Sequence, residues 1–423
     1  MAVVCAGGAV PATAAVAPSG AVPYEYNYGL TWHPKQRLLS GVGGVNLRNA
    51  GSQPVDHVWL RLRPNRGDAL EQLTWVSNAR AGETRAAGSM VRINLLKPLA
   101  PSATMHFSFG LRLRVPRDNT SLGRSAGIDL FGDALPVVAV KAAHPFRIGP
   151  EPAYGEGSLN PVALWGLSVR VPRGMRVIAP GYLLRTNRSR FTSQYITEVE
   201  ARDLAFAIGR FKTIAEKVGE VRVAVTGSAS TRAQLRPALR RAANAYRTLQ
   251  RWYGGYSLPT LRVILVDLPF GGSEYPGIVF STPDNATIAH EVAHQWFYGL
   301  VGNDQYNDPF LDESLTAFAE QRFHKSYRCD LARPIRGKHG LGTGMSYWEK
   351  HPKAYEDTIY RGGACALTVL RRDIGAKVFD QALRAYVAAN VNQIAGVDDF
   401  LAAIRNAAPG YDLARWERLV GLD

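Results

Sequence analysis

The chain has 423 residues, of which 46% are hydrophobic and 20% charged, a globular balance that excludes a disordered chain. No run of roughly 18 apolar residues occurs, so no transmembrane helix is predicted, and three cysteines are too few for a disulfide scaffold. The net charge of +15 arises from 50 basic and 35 acidic residues; the basic ones are spread along the chain without a dense block, so no nucleic-acid partner is expected.

Residues 1–22 are small and apolar, with no acidic or basic side chain before Glu25. They are expected to be the remnant of an export signal or a disordered leader. Ala12-Thr13-Ala14 has the small-x-small form of a cleavage site, and Cys5 is a candidate acylation site. The expected location is therefore secreted or cell-envelope, with a lipoprotein as one form of it. Cys329 and Cys365 remain as a pair, either bridged or as two buried thiols.

From Tyr24 to about Lys217 the pattern has period two. Phe107, Phe109, Leu111, Leu113 and Val115 alternate with Ser108, Gly110, Arg112 and Arg114; Leu167, Val169 and Val171 alternate in the same way. Runs end in Pro and Asn turns, such as Pro64-Asn65 and Pro172-Arg173-Gly174. Residues 23–217 are thus predicted to form an antiparallel β domain, a sandwich or saddle. Past this point the period changes. Leu235, Leu239, Ala242, Tyr246, Leu249 and Tyr253 fall at helical spacing, Leu261–Val266 reads as a short buried strand, and helices and loops alternate from Ala286 onward. Residues 218–423 are predicted to be a mixed, mostly helical domain, giving an α+β chain of two domains.

The chemistry concentrates in His290-Glu291-Val292-Ala293-His294. Two histidines four apart share one face of a helix and can share one Zn²⁺. Glu291 adjoins the first histidine without being a ligand, the place for a general base acting on water that the metal acidifies. A catalytic site needs a third protein ligand. Glu313 lies eighteen residues beyond His294 in a segment, Leu311–Phe323, that reads as a second helix able to fold back over the pair.

These residues resemble the aminopeptidase N type of zinc metallopeptidases, the gluzincins of peptidase family M1. The family pattern, H-E-x-x-H, eighteen residues, then E, is matched by His290, His294 and Glu313, and the flanks Gln295-Trp296-Phe297 and Asn307-Asp308-x-x-Leu311 are similar. The family's amine-binding edge strand corresponds to Gly271-Gly272-Ser273-Glu274-Tyr275, with Ser273 and Tyr275 in place of the family's Met and Asn. The resemblance implies a thermolysin-like catalytic domain and one Zn²⁺ per chain. It implies that Glu274 holds the α-amine of a peptide, that Gly271 and Gly272 let the strand lie close to the substrate backbone, and that Tyr360 donates to the oxyanion. Tyr298, Tyr306 and Tyr355 are alternatives for that last role, and Glu151 and Glu156 are candidates for a second amine-pocket residue. The large C-terminal helical domain of longer relatives has no counterpart past Tyr360, so a short form with an open cleft is expected.

The implied function is a zinc-dependent aminopeptidase that removes N-terminal residues from peptides by attack of zinc-bound water. The alternatives are a zinc endopeptidase or other hydrolase on the same fold, and a non-catalytic surface module with structural zinc.

Overall fold

The computed structural model describes residues 21–65, 70–80, 85–139, 152, 157–326, 329 and 339–422. The expected leader, with Cys5, and the candidates Glu151 and Glu156 lie outside them. The N-terminal part is built on a seven-stranded sheet. Its centre is the strand Ala21–His33, flanked by Leu38–Asn49 and Ala163–Pro172. The period-two pattern becomes a buried face: Phe107, Phe109, Leu111 and Leu113 of the strand Thr104–Arg114 are all buried. Tyr26, Tyr28, Trp165, Leu167 and Val169 join them in one core. Most pairings are antiparallel as expected; Ala21–His33 and Ala163–Pro172 instead run parallel, Tyr26 opposite Trp165. Two four-stranded sheets complete this part.

A five-stranded sheet begins the C-terminal part, in the order Lys212–Val218, Val221–Gly227, Thr260–Leu265, Ile278–Ser281, Gly272–Tyr275. Lys212–Val218, assigned above to the β domain, pairs antiparallel with Val221–Gly227 and so belongs to this second sheet. Period-two alternation reveals a strand but not which sheet it joins. The strand Thr260–Leu265 is central and parallel to both neighbours, which explains its continuous apolar run. Leu261, Val263 and Leu265 face the helical core. Ile264, with Ile278 and Phe280, packs on Ile128, Leu130, Ala205 and Ala207 of the N-terminal part. The sheet is therefore covered on both faces, and the two parts share an apolar seam.

The helix Leu235–Tyr253 forms where its spacing predicted, burying Ala238, Ala242, Tyr246, Leu249 and Tyr253. Arg202 fastens the seam. It is 1% exposed, and its guanidinium donates to the carbonyls of Asn160, Gly299, Leu300 and Gln393 at 3.0–3.2 Å. Burial lowers its pKa to about 10, so it stays charged at neutral pH. Two of those carbonyls belong to the loop that leaves the histidine helix. Cys329 and Cys365 are joined by a disulfide.

Candidate active site

The histidine helix spans Asn285–Ala293, and Asp284 caps it by accepting the Thr287 backbone N–H at 2.9 Å. One helical turn separates His290 from His294, and their Nε2 atoms are 3.2 Å apart. The partner segment was expected to be a continuous helix over Leu311–Phe323. It instead opens with a π turn, Phe310–Ser314, and continues as the α-helix Leu315–His324. Such wider turns recur at functional sites. Here the turn lets the consecutive carboxylates Asp312 and Glu313 both reach His294, at 2.8 and 3.4 Å.

Glu313 Oε2 lies 3.2 Å from His290 Nε2 and 3.4 Å from His294 Nε2. Three donors at tetrahedral corners with bonds of about 2.0–2.1 Å stand about 3.3–3.4 Å apart, so these three atoms fit a common zinc ion. The outer nitrogens are fixed as well. His294 Nδ1–H donates to Asp312 at 2.8 Å, and His290 Nδ1–H donates to Glu320 at 3.1 Å. A carboxylate can only accept there, so each ring must present an unprotonated Nε2 inward when neutral. Asp312 is held in turn by Gln305 Nε2–H at 2.6 Å.

Burial pulls the His290 pKa down, but its hydrogen bonds to Glu313 and Glu320 outweigh this and push it up to about 9. Burial likewise opposes the charge on His294, and Asp312, Glu274 and Glu313 overcome it. For Glu313, burial favours the neutral acid; the two histidines outweigh it and hold the carboxyl well below its ordinary range. The surrounding carboxylates thus favour a positive charge between them. Glu291, 4% exposed, is pushed up to about 7 by burial, with both histidines pulling the other way. Its Oε2 has no hydrogen-bond partner among the described residues.

The edge strand Gly272–Tyr275 pairs with Ile278–Ser281 on one side, Glu274 opposite Val279. Its other edge is the rim of a cavity of about 600 Å³ that also receives His290, Glu291, His294, Glu313 and Tyr360. Glu274, Glu291 and His294 each place a ligand atom within 4.8 Å of the others. Gly271 has φ +97°, a left-handed backbone that favours glycine. Gly272 is dictated by space, since a Cβ there would fall 2.4 Å from Glu291 Oε1. Tyr360 sits in a second π turn, Glu356–Gly362, with its ring 5.8 Å from that of His290 and nearly parallel to it. Of the alternative tyrosines, Tyr298 is committed to Asp203, its hydroxyl donating at 3.0 Å. Tyr355 packs edge-on against Tyr360, and Tyr306 does not line the cavity.

His290, Glu291, His294, Glu313, Glu274, Gly271, Gly272 and Tyr360 therefore line one cavity. Sequence reasoning missed the carboxylates behind the histidines. Asp312 directly precedes Glu313, and Glu320 lies seven residues beyond Glu313; helical spacing from Glu313 could have found the latter. It also missed the contribution of the N-terminal part, where Arg63, Asp133 and Ser158 line the cavity. Arg63 ion-pairs with Asp133 at 2.6 Å and Asp203 at 3.1 Å, and the Tyr275 hydroxyl donates to Asp133 at 3.3 Å.

The structure thus joins a two-part α+β fold to a His-His-Glu donor set beside an edge strand, the arrangement that the resemblance to gluzincin-like zinc metallopeptidases leads one to expect. Residues 281–416 match the model described as the peptidase family M1 domain. The chain is 29% identical to human Aminopeptidase B over 35% of its own length and 29% of that protein's. It is 28% identical to human Endoplasmic reticulum aminopeptidase 1 over 24% of its length and 12% of that protein's. The match thus spans less than a third of these curated relatives. Among solved structures, a two-domain M1 zinc metallopeptidase mutant bound to L-arginine superposes with a TM-score of 0.73 at 18% identity, over 96% of this chain and 94% of that one. An M1 zinc metallopeptidase from Deinococcus radiodurans, bound to a Tyr-Ser-Ala substrate, superposes with a TM-score of 0.68 at 18% identity, over 95% and 94%. Those likenesses bear out the expected fold over nearly the whole chain.

Proposed function

We propose that this chain is a zinc-dependent aminopeptidase that holds one Zn²⁺ between His290, His294 and Glu313. The observation that carries the reading is the set of three donor atoms 3.2–3.4 Å apart beside the buried Oε2 of Glu291, which has no hydrogen-bond partner among the described residues. Zinc bound there would supply Lewis acidity toward a peptide carbonyl and acidify water. Glu291 takes the proton from the attacking water and returns it to the leaving amine. Tyr360 donates its hydroxyl to the oxyanion. Glu274 pairs with the ammonium of the peptide N-terminus, and the Gly271-Gly272 edge hydrogen-bonds to the substrate backbone. The open side of the donor set faces the cavity, as a catalytic rather than a structural site requires.

Two variants test this. Glu291→Gln should keep its zinc and fold yet lose about 10²–10⁴-fold in kcat. His290→Ala should lose zinc and activity together. Wild-type protein without zinc, or Glu291→Gln within a few fold of wild type, would overturn the reading. The same proposal includes export from the cytoplasm, supported by the Cys329–Cys365 disulfide, because such bonds persist in oxidising compartments.

A further inference from the structure

A second cavity, of about 380 Å³, lies where the seven-stranded sheet meets the five-stranded one. Arg176, Arg188, Arg222 and Arg262 line it, and among the described residues no Asp or Glu does. Its walls are apolar, with Leu167, Val169, Val177 and Leu183. Arg262 Nε is buried there without a hydrogen-bond partner among the described residues. Burial first, and then the neighbouring Arg222, lower the Arg262 pKa, so the two guanidiniums repel each other; Arg262 Nη2 donates to the Gly181 carbonyl at 3.5 Å.

The cavity adjoins a β ribbon at the edge of the seven-stranded sheet, formed by Tyr182–Arg188 and Thr192–Ala201. Tyr182, Leu183, Leu184 and Phe191 on this ribbon are 57–75% exposed. They are four of the twelve large apolar side chains exposed among the described residues, gathered within ten positions. Leu184 sits at a break in register between Leu183 and Arg185. Between them stand Arg185, Arg188 and Arg190, and the sequence from Gly157 to Thr197 contains no acidic residue.

Exposed apolar clusters of this kind mark an interaction surface. Large aliphatic and aromatic side chains interleaved with arginine suit a lipid–water interface, where the apolar parts enter the acyl boundary and the guanidiniums meet anionic headgroups. A nucleic acid would use the charges but leave Leu183, Leu184 and Phe191 in water. We propose that the ribbon and the arginine-lined cavity form a docking surface for an anionic lipid bilayer, with the ribbon's apolar side chains inserted and the cavity holding one headgroup.

Cosedimentation of the full chain with vesicles tests this. Binding should be strong to phosphatidylcholine vesicles containing about a third phosphatidylglycerol, absent from pure phosphatidylcholine, and weakened by salt. Arg188→Gln with Arg222→Gln should bind about 25-fold more weakly, at about fivefold per charge. Leu183→Ser, Leu184→Ser and Phe191→Ser together should bind at least about tenfold more weakly. All of these side chains lie outside the zinc cavity, so hydrolysis of a small soluble peptide and the melting temperature should stay unchanged. Inorganic phosphate that protects the cavity arginines without competing with vesicles would overturn the headgroup assignment. Equal binding to both vesicle types, no binding, or a dimer in solution abolished by the serine variants would overturn the docking surface.

Discussion

Replacing Gly272 by alanine isolates one geometric demand of the site. The added methyl would stand 2.4 Å from Glu291 Oε1, 2.5 Å from its Cδ and 2.6 Å from its Cγ. Carbon atoms pack at about 3.5–4.0 Å, so the Glu291 side chain must retreat by about 1 Å. The backbone is no obstacle, because Gly272 lies in an ordinary extended strand, unlike Gly271 with its φ of +97°. His290, His294 and Glu313 are not touched, so metal content and melting temperature should match wild type. A misplacement of about 1 Å in a catalytic group costs on the order of 10²-fold. Gly272→Ala should therefore lower kcat about 100-fold on an aminoacyl fluorogenic substrate, with a smaller change in KM. Serine should do the same, since it adds the same Cβ. Activity within threefold of wild type, at full zinc occupancy, would refute the argument that Gly272 exists to leave room for Glu291.

Asp312→Ala frees His294 Nδ1 from its carboxylate and should weaken zinc binding about 10–100-fold, read by competition with a chelator; unchanged affinity would mean that Thr316 or the Phe297 carbonyl orients the ring instead. Glu71 is buried in the N-terminal part with neither carboxylate oxygen hydrogen-bonded among the described residues, and burial raises its pKa well above the ordinary value. Below the unfolded pKa of about 4.3 both states hold the proton and nothing is lost. Above it the unfolded chain ionises first, and stability falls by about 1.4 kcal/mol per pH unit until the folded pKa is reached. Glu71→Gln should therefore raise the melting temperature more at pH ~8 than at pH ~5; an equal shift at both would show that Glu71 is solvated.

What was legible in the sequence was local. His290, Glu291 and His294 are set by one turn of helix, and Glu313 by a fixed return distance, so spacing alone brought four groups together. Alternation in Phe107–Val115 and Leu167–Val171 marked strands whose inward faces are buried as read. Pairing was not legible: nothing within Ala21–His33 says that it runs parallel to Ala163–Pro172, and nothing within Lys212–Val218 says that it joins the second sheet. Long-range polar partners were hidden for the same reason. Arg202 reads as one arginine among forty, yet it binds four carbonyls from three distant segments. The π turn at Phe310–Ser314 also escaped notice, because helical periodicity continues through it. The arginine-lined cavity escaped for another reason: its charges are scattered in sequence from Arg176 to Arg262 and meet only where two sheets join.

The most direct test of the account compares one peptide with a free N-terminus and the same peptide N-acetylated, incubated with zinc-analysed protein and followed by mass spectrometry. Glu274 lies in the cavity within 4.8 Å of atoms of Glu291 and His294, so a free ammonium finds a carboxylate one residue's reach from the catalytic base. An acetylated end leaves that carboxylate desolvated and unpaired, at a cost of about 1–3 kcal/mol and so roughly ten- to a hundredfold in kcat/KM. The account predicts stepwise loss of residues from the free peptide, abolished by chelation and restored by zinc, with the acetylated peptide left nearly intact. Cleavage of both peptides at similar rates, or cleavage indifferent to the chelator, would contradict it.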